Sequence, residues 1–248
     1  MTQALIVDRI IRRSAQGVTR PFLCQVEDGR LFWAKGNLAG QRALCCEWVA
    51  GSLAKALDLP VPPFAQLHVP KQLVEQSLVE SIRELGCGLV FGSEDVGDTQ
   101  EFGIKDAQNA IRRDADIALR TMLFDWWIQN GDRTLGERGG NPNILIRVAD
   151  GKLRIIDHNI AFDRTWSASQ FFDGHVFAVA RKSATPESRE SVRESMKRAR
   201  GQLDIFWSQL PESWLYLDES GGSPVDVSIT EMRSILGRVE TDWDELWS

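Results

Sequence analysis

The sequence predicts an α+β fold in two lobes: a small N-terminal β-sheet lobe with one helix, then a mainly helical C-terminal lobe. Three observations carry this expectation. Short apolar or alternating runs, separated by turn residues, crowd the stretch up to Lys35. An apolar helical pattern then covers Gly40 to Leu59 and stops at "PVPP". From about Asp106 helical periodicity dominates, interrupted by two brief aliphatic runs around an Asp-Gly turn. Strands first and helices afterwards is an α+β order, and we place the lobes at residues 1–95 and 96–248.

Each element has its own warrant. "ALIVDRII", "PFLCQV" and "RLFWAK" are strands, with "EDG" turning between the second and third. The polar linker "RRSAQGVTRP" joins the first two. Leu44, Val49, Leu53 and Leu57 recur near helical period in the following helix. "FAQLHVP" and "CGLVFGSE" add two strands. Residues 106–130 read as one long helix, with Ile111, Ala115, Ala118, Met122 and Trp126 on one stripe. "NILIRV" and "KLRIID" form a hairpin about Asp150–Gly151. Trp166 to Ser248 reads as helices broken at "SATPES" and "DESGGSP".

The bulk numbers exclude some classes. A chain of 248 residues with 43% apolar and 26% charged residues is ordinary for a globular protein. Its net charge of -6 argues against binding nucleic acid through phosphates. No apolar run reaches the length of a membrane span. The basic residues of "MTQALIVDRIIRR" follow its apolar run, unlike a signal peptide, so a cytoplasmic location is expected. Cys24, Cys45, Cys46 and Cys87 lack paired CxxC spacing and read as buried, reduced thiols.

Against this background, polar residues at strand edges stand out. Lys35 ends an apolar strand, and Glu47 sits within the next helix beside its apolar stripe. Such a lysine and glutamate can form the ion pair that holds a lysine on nucleotide phosphates. Singly, a strand-end lysine reaching water and a solvated helix glutamate explain them as well. Asp132 directly follows the helix "LFDWWIQN", Asn143 precedes "ILI", and Asp157 follows "RII". Two of the three stand at the ends of one hairpin and can converge on a cation. Asp132 is then placed to orient or deprotonate an acceptor hydroxyl, with Asn143 and Asp157 holding Mg²⁺. Turn chemistry accounts for Asn141 and Asp150. It does not account for the ordered set of all five residues.

The segments "GDR…NPNILI…IIDHNIAF" resemble the catalytic segment of HipA-like kinases, which are more distantly related to protein and phosphoinositide kinases. The likeness extends to "RRSAQGVTRPFLCQVEDGRLFWAKGN", "RALCCEWVAGSLAKALDLPVP" and "LPESWL", and is densest at residues 12–63 and 124–163. It implies a bilobal protein-kinase-like fold using ATP and Mg²⁺. Residue by residue, it implies Asp132 as the catalytic Asp, Asn143 and Asp157 as metal ligands, Lys35 as the phosphate lysine and Glu47 as its partner. The loop from Ser14 through Gly17 to Thr19 takes the place of the phosphate-covering loop. Ser14, then Thr19, is its candidate phosphorylation site. "LVFGSE" stands where the connecting hinge belongs, so backbone near Phe91 and Ser93 is expected to read the adenine. The implied activity is phosphorylation of protein Ser or Thr residues, as by a growth-regulating toxin. An antitoxin, or a partner supplying the N-terminal subdomain that relatives carry, goes with that expectation.

The chain also departs from kinase patterns. Asp132 and Asn143 stand farther apart than the about five residues of protein kinases, with "TLGERGG" inserted, which leaves Asn141 open as the ligand. The metal Asp sits in "DHN", and the covering loop has no glycine series. A small-molecule or lipid kinase and a nucleotide-binding pseudokinase are therefore the alternatives. The tryptophans read as core, and His68 and His175 as isolated. His158 reads either as a donor beside Asp157 or as a plain strand-end residue. "RKSATPESRESVRESMKRAR" reads as a solvated face whose basic end could dock an acidic partner or a nucleic acid.

Overall fold

The computed structural model describes residues 3–15, 19–77, 79–136, 139–218 and 221–247. They form two compact units that interleave along the chain. The first comprises Met1–Trp48, Pro62–Gly97 and Ser208–Val227; the second comprises Val49–Val61, Asp98–Trp207 and Ser228–Ser248.

In the first unit, β1 (Leu5–Arg13), β2 (Phe22–Val26), β3 (Leu31–Lys35), β4 (Phe64–Val69) and β5 (Gly88–Glu94) close into a barrel of order β1-β2-β3-β5-β4. The ladder between β1 and β4 is parallel, with Leu5 opposite Leu67, and the others are antiparallel. Alternation along the strands sends Val7, Cys24, Val26, Phe32, Leu67 and Val90 into the core. β1 is irregular between Val7 and Arg9 and between Ile10 and Arg12, and such bulges bend a long strand. Helix α1 (Gln41–Ala56) is buried continuously over residues 44–54, so the apolar stripe in its sequence understates its cover. A short helix, α2 (Lys71–Glu75), follows β4.

The late segment Ser208–Val227 belongs to this first unit. The Trp214 indole N–H donates to Leu89 O at 2.8 Å, and Gln66 Nε2 donates to Gln209 O at 2.7 Å. Cys24, Cys45 and Cys46 are buried as expected, and burial pushes the Cys24 and Cys45 thiols up to about 12. Cys87 departs from the expectation. It is exposed, in the turn before β5, and none of the four cysteines is in a disulfide.

In the second unit, β6 (Thr99–Glu101), β7 (Ile144–Arg147) and β8 (Leu153–Ile155) form a small antiparallel sheet. The β7–β8 hairpin matches the sequence pattern. β6 has no apolar signal, because all three of its residues are exposed on the sheet edge. The long helix expected over 106–130 is two helices, α3 (Ile104–Arg113) and α4 (Ala115–Trp127). Asp114 separates them in a non-helical conformation, and its carboxylate accepts from the Ile117 N–H at 3.1 Å. Aspartate favours this N-cap bond over a place inside a helix.

The remaining helices are α5 (Ala168–Gly174), α6 (Pro186–Arg200), α7 (Leu203–Ser208), α8 (Ile229–Leu236) and α9 (Arg238–Thr241). Along α6, Lys197 pairs with Glu194 and Arg200 with Glu240, while Arg193 donates to Val239 O. Much of its basic end is thus matched within the unit. Trp126 packs edge-on to Trp243 at 6.2 Å, and the Arg238 guanidinium lies 4.3 Å from Trp126 and 4.4 Å from Trp166. These tryptophans serve packing. Among the described residues, no helix is long and apolar enough to cross a membrane.

Candidate active site

The site residues fall into two groups, one in each unit. In the first, β3 ends at Lys35, whose Nζ lies 2.5 Å from Glu47 Oε1 on α1. The side chains are 11% and 3% exposed, so each charge depends on the other. Phe91 and Ser93 lie within β5, opposite Lys35 and Trp33 on one side and Gln66 and Phe64 on the other. Their main-chain groups therefore belong to strand ladders. Ser14 follows β1, with its N–H donating to Pro21 O at 2.8 Å. Thr19 is half-buried near the start of β2, and Gly17 lies outside the described residues.

In the second unit, β7 and β8 are registered with Ile144 opposite Ile155. Just outside that pair lie Asn143 and Asp157, both in the left-handed region at φ 47° and 60°. Asn and Asp tolerate this conformation better than other side-chain-bearing residues, and it turns the chain away at both strand ends. The Ile156 N–H donates to Asn143 O at 3.0 Å and ties the ends together. Asp132 lies beyond α4, and its Oδ2 accepts from Asn143 Nδ2 at 2.9 Å and from Asn141 Nδ2 at 2.8 Å. Burial raises the pKa of Asp132 and the charge of Asp157 adds to the rise, while the two amide donors oppose it. The structure thus gathers Asp132, Asn141 and Asn143, with Asp157 close enough to act on Asp132.

Sequence reasoning missed the support beneath this group. The Arg133 side chain is fully buried. Its Nε donates to Asp125 Oδ2 at 2.6 Å, and its Nη1 donates to Asn143 O at 2.6 Å and Ile156 O at 3.2 Å. One guanidinium therefore links α4 to both ends of the hairpin. Asp125 also accepts from Asn130 Nδ2 at 2.8 Å and meets His175 Nε2 at 3.0 Å. Burial alone would raise the Asp125 pKa, but the Arg133 charge and the His175 bond hold it well below the usual range. His175, which reads as isolated, is a member of this network. The available signal was Asp125 itself, a charge inside the apolar run "LFDWWI". His158 is buried, with its ring edge-on to Phe124 at 5.7 Å.

The insertion after Asp132 is folded over its described residues. The Thr134 N–H donates to Asn141 O at 3.1 Å, Gly136 and Gly139 exchange two 3.0 Å bonds, and the Leu135 N–H donates to Gly174 O at 3.2 Å. A Cβ on Gly140 would lie 2.4 Å from Thr134 O, so only glycine fits this neck.

Chemically, the second unit presents a carboxylate and an amide oxygen at the two ends of a rigid hairpin. Asn143 Nδ2 is engaged by Asp132, which leaves its Oδ1 able to serve as a hard oxygen donor. Such donors suit Mg²⁺, which takes few protein ligands when phosphates supply the rest. Among the described residues no three His, Cys, Asp or Glu side chains form a metal cage.

The comparisons agree with this architecture. The crystal structure of a Helicobacter pylori proinflammatory kinase, CtkA, matches with a TM-score of 0.53 at 10% identity, covering 99% of this chain and 97% of that one. At that identity the likeness shows the fold. The FAT and kinase domain of CtTel1 gives a TM-score of 0.33 at 15% identity over 96% of this chain and 21% of that one, too slight a likeness to argue from. No curated protein matches. The family model for HipA-like kinases matches residues 7–248, nearly the whole chain, and the chain belongs to the HipA-like kinase family.

Proposed function

We propose that this kinase uses ATP and Mg²⁺ to phosphorylate a serine or threonine hydroxyl of a protein. One observation carries the reading: Asp132 is held by the Asn143 amide at one end of a hairpin whose other end presents Asp157. Lys35, oriented by Glu47, is the group for the nucleotide phosphates. Asn143 Oδ1 and Asp157 would hold Mg²⁺, which neutralises phosphate charge as the γ-phosphoryl transfers. The acceptor oxygen bonds to the γ-phosphorus as the bond to the β-phosphate oxygen breaks and ADP leaves. Asp132 Oδ1 takes the hydroxyl proton. The pair on Lys35 and the bonds on Asp132 form within the folded chain, so the positional entropy of these groups is already spent.

The test is intact-mass and peptide mass spectrometry after incubation with Mg²⁺ and ATP, on the chain and on protein acceptors. Added phosphate on a Ser or Thr is expected, with Ser14 and then Thr19 as the self-modified positions. Asp132→Ala should lower transfer by about 10²- to 10⁴-fold while Mg²⁺-ATP still raises the melting temperature. Undiminished transfer by that variant would remove Asp132 from the mechanism. Nucleotide-dependent stabilisation without transfer by the unmodified chain would mark a nucleotide sensor instead. Added AMP would redirect the chemistry.

A further inference from the structure

Asp132 Oδ2 receives two amide N–H groups, one from Asn143 and one from Asn141, at nearly equal distances of 2.9 and 2.8 Å. Among the described residues Oδ1 receives none. The terminal torsion of an aspartate is broad, so a carboxylate held by one donor can swing about that single bond. Two donors on the same oxygen restrict that swing and fix the plane of the carboxylate. Asn143 has a competing duty, because its carboxamide oxygen is the ligand proposed for Mg²⁺. Asn141 is held in place by the inserted loop. Its carbonyl accepts from the Thr134 N–H at 3.1 Å, closing the inserted loop, and the tight fit at Gly140 holds the preceding backbone. The insertion that lengthens this catalytic loop thus ends by delivering one amide to the carboxylate.

We propose that Asn141 is a positioning residue for phosphoryl transfer: together with Asn143 it fixes Oδ2 of Asp132 and keeps Oδ1 turned to the acceptor hydroxyl. This rests on the kinase reading above, and it makes the insertion a working part of the site. It gives Asn141 a role other than the metal ligation that the sequence left open.

The two roles respond oppositely to one substitution. Asn141→Asp preserves or improves a metal ligand but removes the N–H donor and sets a second carboxylate against Asp132. Positioning predicts that Asn141→Ala lowers kcat about ten- to a hundredfold, with the KM for ATP and the Mg²⁺ requirement within about twofold of the unmodified protein. It predicts that Asn141→Asp is at least as impaired as Asn141→Ala, and that Asn141→Gln, which keeps the donor, recovers part of kcat. A raised Mg²⁺ requirement in Asn141→Ala that Asn141→Asp restores would overturn the proposal in favour of ligation.

A second measurement does not depend on turnover. In ¹⁵N-labelled protein, the Asn141 side-chain amide signal should shift and lose exchange protection in Asp132→Ala. An unresponsive signal overturns the proposal whatever the activity. A responsive signal in a protein that transfers no phosphate overturns the kinase reading instead, and takes the catalytic consequence of the bond with it.

Discussion

The Phe177 N–H donates to His175 Nδ1 at 3.1 Å, so the imidazole proton sits on Nε2, where it meets Asp125 Oδ2 at 3.0 Å. A second proton on Nδ1 would point one N–H at another. Burial acts in the same direction and lowers the His175 pKa against the pull of Asp125, with the Arg133 charge adding to the lowering. The network therefore holds a neutral imidazole against an ionised carboxylate that also pairs with the Arg133 guanidinium. Because the folded pKa lies below the unfolded value of about 6.5, this contribution to stability is complete above that pH and is lost as pH falls toward the folded pKa. Asp125, depressed in the fold, adds stability that is complete above about pH 3.9 and is lost at lower pH. We expect urea midpoints to fall between pH 7.5 and pH 5.5, and the fall to shrink in His175→Gln, which does not titrate. An identical pH dependence in that variant would refute the neutral-histidine account. Asp125→Asn should be the harsher change, costing about 3–5 kcal/mol, because it leaves Arg133 charged, buried and uncompensated.

The β7–β8 hairpin was legible at the level of elements because its information is local: aliphatic runs around Asp150–Gly151. Asn143 and Asp157 were legible for the same reason, as polar residues where each run meets its edge. Other features depend on distant partners. The inserted loop is held through Leu135 to Gly174, and Arg133 reaches Asp125 and both hairpin ends; neither link leaves a periodic trace in sequence. The break at Asp114 was visible only as one acidic residue in a helical run, where capping and helix continuation compete. The Gly139–Gly140 pair now has two distinct causes. Gly139 adopts φ 95° with open space around it, whereas Gly140 is crowded by backbone. Gly140→Ala should force the neck apart, separate Asn141 from Asp132 and lower transfer. Gly139→Ala should cost about 1–3 kcal/mol of backbone strain at most and leave transfer nearer to normal. Undiminished transfer by Gly140→Ala would mean that the loop's fold is immaterial to the reaction.

At the scale of the molecule, the first unit is assembled from stretches far apart in sequence. Its barrel and the start of α1 come from the first hundred residues, yet Ser208–Val227 belongs to the same unit. Nothing in the composition of "PESWLYLDESGGSPV" shows this, because burial there is a property of what it packs on. Trp214 is the fastening point. It is 1% exposed, its indole donates to Leu89 O on β5, its carbonyl accepts from Cys45 Sγ at 3.5 Å, and its ring stands edge-on to Trp48 at 6.4 Å. Losing that side chain removes a large apolar surface and leaves the Leu89 carbonyl without this donor. Trp214→Ala should therefore cost about 3–5 kcal/mol in chemical denaturation. Leu217→Ala is the control: that residue lies in the same segment but is 62% exposed, and the change should cost less than about 0.5 kcal/mol. If the two variants unfold at the same denaturant concentration, the late segment is a passive cover. If Trp214→Ala alone is shifted, the barrel unit depends on a residue that the chain supplies 120 positions after β5 ends.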